Sequence, residues 1–257
     1  RAHIGKIGSM NICIDHGNSR AKVALFAEDG RIVKTFVYKS FTAADVERMF
    51  ALYPITDSII SSVVNLEPAM VNSLSRLSKR FVLFDHKTPL PIVNDYDTPS
   101  TLGQDRLAAA VAAAELFPDE DVLIIDVGSA ITYDFLTNDE HYKGGNIAPG
   151  LKMRLKALHQ MTKKLPLVEV GEGELIPLFG TNTKDAILAG VVRGICFEVK
   201  GYMRTLSERM SGYRTIMTGG NAPHILRNVQ ADICYDKHLV LKGLNRILEY
   251  NKLQSQH

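Results

Sequence analysis

Two related α/β domains are the architecture this sequence predicts, and three observations carry the reading. The stretch IDHGNSRAKVALF, from Ile14 to Phe26, returns in outline as IDVGSAITYDF, from Ile125 to Phe135. Each writes an apolar strand, Asp-x-Gly, a small polar residue and a second strand. The two aspartates, Asp15 and Asp126, stand close to half a chain length apart. After each opening, short β-rich runs give way to alternating helix and strand, the pattern of a mixed sheet completed by α/β units. The expected domains are residues 10–117 and 118–257. Residues 1–9, RAHIGKIGS, precede Met10, lack a long apolar core and read as a non-native remnant outside the fold.

Taken in order, MNICID, KVALFA and RIVKTFVY form an antiparallel meander, with turns at Gly17-Asn18 and Asp29-Gly30. TAADVERMFALY has helical spacing and opens at Thr42; DSIISSVV reads as a buried strand. EPAMVNSLSRLS and RFVLF repeat that helix–strand alternation. A polar loop from Asp85 to Gly103 leads into the alanine-rich helix DRLAAAVAAAELF. In the second half DVLIID, AITYDFLT and HYKGGNIA form another meander, and a helix begins near Pro149. An irregular stretch from Thr162 to Asn182 precedes one long helix from Thr183 to Met210. Its Gly190 and Gly194 suit close approach of another helix, within the protein or across a dimer. RTIMTG, APHILRNV, a short strand near Ile233 and the helix LVLKGLNRILEY close the second half.

Composition removes several function classes. Among the 257 residues, 46% are hydrophobic and 23% charged, with a net charge of +2. That balance gives no electrostatic case for nucleic acid or an anionic membrane as partner. No apolar stretch reaches the roughly 20 residues that span a bilayer. Cys13, Cys196 and Cys234 have no paired spacing, which suits reduced thiols in a cytoplasmic protein.

The Asp-x-Gly tips are where chemistry enters. Glycine lets backbone N–H groups approach a phosphate, and an aspartate at a strand end can hold a metal ion directly or through water. Asn18, Ser19 and Lys22 extend the first tip; Ser129 and Thr132 extend the second. A single Asp-x-Gly is commonly a plain turn, but a pair opening two related halves suits a grip on a polyphosphate. There is no P-loop and no Gly-x-Gly-x-x-Gly between strand and helix.

The segment YDTPSTLGQDR, Tyr96 to Arg106, ends at a helix start. Asp105 there reads equally as an N-cap or as acceptor of a substrate hydroxyl proton, and Arg106 suits a carboxylate. GGNIAPG and TGGNAP read as tight turns; the second also suits approach to a nucleotide base or ribose. His16 is the only histidine near these tips and reads as an exposed turn residue.

With DHGNSRAK, YDTPSTLGQDR, DVGSAITYD, GGNIAPG, NTKDAILAG and TGG in this order, the chain resembles the type III pantothenate kinases. These belong to the acetate and sugar kinase/Hsp70/actin superfamily. The resemblance runs from Met10 to about Tyr250. It implies two ribonuclease H-like (actin-like ATPase) domains and ATP-dependent phosphorylation of pantothenate, the first step of coenzyme A synthesis. It also implies that Asp15, His16, Gly17, Asn18, Ser19, Arg20, Ala21, Lys22 and Ser129 contact ATP, with Asp15 near Mg²⁺. Asp126 would hold a monovalent cation, K⁺ or NH₄⁺, and Asp105 would be the proton acceptor. Tyr96, Gly103, Gln104, Asp105, Arg106 and Thr183 would contact pantothenate, in a homodimer. Ser129 stands where the family usually has threonine, which keeps the hydroxyl. A kinase for another small hydroxylated substrate and a non-catalytic nucleotide-binding regulator are the alternatives.

Overall fold

Side-chain alternation along the first strand decides what each face of its sheet does. In β1 (Met10–His16), Met10, Ile12 and Ile14 point one way, and Asn11, Cys13 and Asp15 the other. The structure, a computed structural model, describes residues 8–254. The expected non-native leader thus lies, for residues 1–7, outside the described residues. The chain divides into two compact units: residues up to Ala112 together with those from His238 on, and Ala113–Lys237.

In the first unit β1 pairs antiparallel with β2 (Ala21–Ala27), which pairs with β3 (Ile32–Tyr38). Gly30, at φ 79°, makes the tight β2–β3 turn that a residue with a Cβ adopts less readily. Helix α1 (Ala43–Leu52) follows Thr42, whose N–H and hydroxyl both donate to the Asp45 carboxylate, at 3.0 and 2.8 Å. That closes the helix start and aims α1 back across the sheet. Strand β4 (Ile55–Ser62) then adds parallel to β1, followed by α2 (Pro68–Leu77) and β5 (Arg80–Leu83). The strand order is β3-β2-β1-β4-β5.

One face of this sheet packs Met10, Ile12, Ile14, Val23, Leu25 and Ile60 against Val46 and Met49 of α1 and Met70 and Leu74 of α2. Each such side chain, buried in full, contributes about 1.5–3 kcal/mol. The other face carries polar groups. There α8 (Leu239–Gln254) lies on β1 and β4, and Asn11 Nδ2 donates to Asn245 Oδ1 at 2.8 Å. Lys252 Nζ reaches Asn11 Oδ1 at 2.7 Å and Asp57 Oδ2 at 3.0 Å. A Cβ on Gly243 would collide with the Ala108 carbonyl of α3 (Gln104–Leu116), so α8 and α3 touch backbone to backbone there. The loop before α3 contains the two-residue strand β6 (Val93–Asn94) and a 3₁₀ turn at Pro99–Thr101.

The second unit repeats the strand plan. Strands β7 (Val122–Val127), β8 (Ala130–Leu136) and β9 (His141–Pro149) form the meander. β10 (Arg214–Thr218) and β11 (Cys234–Tyr235) add in parallel, giving the order β11-β10-β7-β8-β9. Helices α4 (Leu151–Gln160) and α7 (Ala222–Val229) cover it, and the stretch from Thr162 to Asn182 is irregular as expected.

The helix expected to run unbroken from Thr183 to Met210 does not. It is α5 (Thr183–Leu188), a π turn at Ala189–Arg193, and α6 (Gly194–Arg209). At the turn's end the Arg193 guanidinium donates to the Asn228 carbonyl at 2.9 Å and also to Ile176 O. The wider turn sets this arginine over those carbonyls while Val191, Val192 and Ile195 stay in the core. The glycines do not serve close packing within the described residues, because a Cβ on Gly190 or Gly194 meets no atom within 4 Å.

Candidate active site

Asp15 sits at the carboxyl end of β1, directly opposite Lys22 on β2 and Ser61 on β4. Residues opposed in this way project to the same face, so the three form a polar row at the edge of the face that α8 covers. Lys22 Nζ lies 4.0 Å from Asp15 Oδ2, and only 14% of the Asp15 side chain is exposed. Burial pushes the Asp15 carboxyl up to about 6; Lys22 pulls it down and Asp105 pushes it further up. A buried carboxylate so poorly compensated is suited to a cation.

Beyond Asp15 the chain turns through Gly17–Arg20, closed by the Gly17 N–H donating to the Arg20 carbonyl at 3.1 Å. Asn18, Ser19 and Arg20 are exposed at this tip, and Ala21 is buried as β2 begins. His16 is partly buried, not the exposed turn residue expected. Its ring Nδ1 lies 3.4 Å from Ser62 Oγ, and burial lowers its pKa.

Asp105 belongs to the same unit and is near enough for its charge to push the Asp15 carboxyl up. It lies within the first turn of α3, one residue inside the helix and not ahead of it as an N-cap would be. Its Oδ1 still accepts from the Arg106 N–H at 2.9 Å. The side chain folds over Gly103, where a Cβ would stand 2.5 Å from Asp105 Oδ1. A side chain at position 103 would therefore displace the Asp105 carboxylate from this place. Arg106 is buried, at 6% exposure, with its guanidinium 5.8 Å from the centre of the Tyr96 ring. Tyr96 is held by its N–H donating to Asn94 Oδ1 at 3.1 Å. Gln104 opens α3 beside them.

The second unit carries the other predicted residues. Asp126 is opposite Thr132 on β8 and Thr218 on β10. Gly219 has φ 101°, and a Cβ there would strike Asp126 Oδ1 and the Val127 carbonyl. Asn221 fixes the hairpin after Asp126, its N–H donating to Val127 O and its Nδ2 to Gly128 O, both at 3.0 Å. A Cβ on Gly150 would strike the Ser129 carbonyl, which explains why GGNIAPG ends in glycine. Thr183 opens α5 and is exposed.

Beside this turn is a cavity of about 270 Å³ lined by α4 (Leu151, Lys152, Leu155, Lys156), by Leu167–Val170, and by Gly220, Asn221 and His224. The sequence alone did not single out Ser61, Asn221 or the α4 lysines, which the structure places beside Asp15, at the hairpin after Asp126 and along this cavity. Only Asn221 had a signal, its place directly after the glycine pair in TGGNAP.

Among the described residues no three His, Cys, Asp or Glu side chains cluster as a metal cage. A cation at Asp15 or Asp126 would therefore need oxygens of other kinds, such as those of a bound phosphate. Asp15 fits a divalent ion by its buried charge. Asp126, beside the Val127 carbonyl across Gly219, offers the carboxylate and carbonyl oxygens that a hard monovalent cation takes.

Two sheets of one strand order, each opened by Asp-x-Gly, give the actin-like ATPase and ROK sugar kinase type of fold. The structure of a ROK family glucokinase from Streptomyces griseus, in complex with glucose and AMPPNP, matches with a TM-score of 0.54 at 11% identity, over 94% of this chain and 98% of that one. A conserved Baf family protein from Campylobacter jejuni matches with a TM-score of 0.62 at 22% identity, over 94% and 99%.

The family is given by sequence. The type III pantothenate kinase model matches residues 11–205. A type III pantothenate kinase from Phocaeicola vulgatus is 44% identical over 242 residues, 94% of this chain and 99% of its relative. The chain belongs to the type III pantothenate kinase family.

Proposed function

We propose that this protein transfers the γ-phosphoryl group of ATP to the primary hydroxyl of pantothenate, the first step of coenzyme A synthesis. The observation that carries the reading is the Asp15–Asp105 pair in one unit, with Lys22 at 4.0 Å from the first and the Gly103–Arg106 turn around the second. The two carboxylates have different neighbours and therefore different tasks. Asp15, next to an ammonium group and deep in the sheet, keeps charge beside the phosphates. Asp105, on a helix start, takes the hydroxyl proton as the phosphoryl group departs from ADP.

Arg106 is buried against Tyr96 and presents a fixed fork for the pantothenate carboxylate. Gly103 and Gln104 line the same turn, and Thr183 makes a further pantothenate contact. The tip from Asp15 to Lys22 contacts the triphosphate, Ser129 contacts the nucleotide, and the 270 Å³ cavity beside Gly220 and Asn221 takes the base. A divalent cation, Mg²⁺, supplies positive charge on the phosphates next to Asp15, and K⁺ or NH₄⁺ does so at Asp126. The enzyme works as a cytoplasmic homodimer. No described helix is long and apolar enough to cross a membrane.

The test is a coupled ADP-release assay with ATP, Mg²⁺, K⁺ and pantothenate. Release that depends on pantothenate, with phosphopantothenate recovered, is the expected result. Release that ignores pantothenate would assign another acceptor, and none at all would leave a nucleotide-binding regulator.

A further inference from the structure

Ser61 is 1% exposed, and its Oγ has no hydrogen-bond partner among the described residues. Burying a hydroxyl without a partner is costly, so such an atom in a native core calls for a reason. Its neighbours on β4 show none. Ser58 is paired with Ser78 at 2.6 Å, and Ser62 donates to the Val64 carbonyl at 2.7 Å.

The position of Ser61 supplies the reason. It is the direct partner of Asp15 across the parallel β1–β4 pair, at the carboxyl ends of both strands. Ligands of open α/β sheets bind at that end of parallel strands. The pairing of β4 with β5 has already ended at Ile60, so Ser61 lies past the last rung on that side. In the second unit the corresponding place, opposite Asp126 on β10, is held by Thr218. A buried hydroxyl residue therefore stands beside the strand-end aspartate in both sheets.

We infer that Ser61 is a positioning residue of the phosphate and cation site, its hydroxyl donating to the Asp15 carboxylate when a nucleotide-bound divalent cation is seated there. Rotation about a single side-chain bond redirects the Oγ. The bond it forms is charge-assisted and fixes the carboxylate against Lys22 on one side and the cation on the other. The inference rests on the nucleotide site assigned above, and no step of chemistry is added to it.

The test is calorimetric titration of Mg²⁺·ADP into the parent, Ser61→Ala and Ser58→Ala, with the same titration in excess EDTA. Ser61→Ala is expected to weaken Mg²⁺·ADP roughly tenfold, leave ADP in EDTA unchanged, and leave the ligand-free melting temperature unchanged or raised. Ser58→Ala, which breaks the Ser58–Ser78 bond, is expected to lower the melting temperature and leave Mg²⁺·ADP affinity as it was. Unchanged Mg²⁺·ADP affinity in Ser61→Ala would overturn the inference. So would a lowered ligand-free melting temperature, since that marks a structural hydroxyl. The titration needs no pantothenate turnover, so an inactive parent that still binds Mg²⁺·ADP would refute the proposed acceptor and leave Ser61 under test.

Discussion

Lys22 faces Asp15 across the β1–β2 hairpin with Nζ 4.0 Å from Oδ2, yet the Asp15 carboxyl is still pushed up to about 6. Burial and the charge of Asp105 outweigh a single ammonium at that distance. The ligand-free fold thus carries a charge it would be more stable without.

That imbalance gives a pH prediction. Below the ordinary carboxyl value of 3.8 both folded and unfolded states hold the proton, and above about 6 both have lost it. Between these limits the unfolded chain ionises first, so this group lowers stability as pH rises from 3.8 to about 6. In EDTA at pH 7.5, Asp15→Asn should be more stable than the parent by about 1–3 kcal/mol. At pH 3, below both values, the two should melt together. Thermal melts at the two pH values decide it, and a variant less stable at pH 7.5 would contradict the burial argument.

Asp105→Asn keeps the shape and the hydrogen bond to the Arg106 N–H but cannot take a proton. Melting temperature and ADP affinity should stay near those of the parent, while kcat falls by roughly 10²–10⁴. Near-normal phosphopantothenate formation would refute its assignment as the base.

Arg106→Lys keeps the charge and loses the planar fork beside Tyr96. The pantothenate KM should rise about tenfold or more, with the ATP KM nearly unchanged. Steady-state kinetics with each substrate varied in turn separates these effects, and an equal rise in both would place Arg106 elsewhere.

Gly219 and Gly220 are neighbours with opposite constraints. A Cβ at Gly219 meets Asp126 and the Val127 carbonyl at φ 101°, whereas one at Gly220 meets nothing within 4 Å. Gly219→Ala should therefore cost about 1–3 kcal/mol of stability. Gly220→Ala should melt like the parent but raise the ATP KM, because Gly220 lines the cavity assigned to the base. Comparing melts with ATP saturation curves for the pair distinguishes folding from binding.

Most of the fold was legible because the signals are local. Alternation in MNICID and the Asp29-Gly30 turn announce the first meander, and Thr42 announces α1. The π turn at Ala189–Arg193 left no such signal, since its cause is Arg193 reaching carbonyls of Ile176 and Asn228, distant in the chain. Nor does the apolar face of α8 say which sheet it covers; Asn245 finding Asn11 decides that. In the candidate site, the paired Asp-x-Gly turns stood out by recurring at the head of each half, whereas spacing left Asp105 equally an N-cap or a proton acceptor and only the family resemblance favoured the second. Ser61 did not stand out, because a serine in SIISSVV looks like any other until strand register puts it beside Asp15.

The placement of α8 has a consequence for how the molecule is made. Its Asn245 and Lys252 complete the polar face of β1, a strand that leaves the ribosome more than two hundred residues earlier. During synthesis the first sheet must wait, one side uncovered, while the whole second unit emerges. Shortening the tail would therefore damage the part of the protein that was translated first.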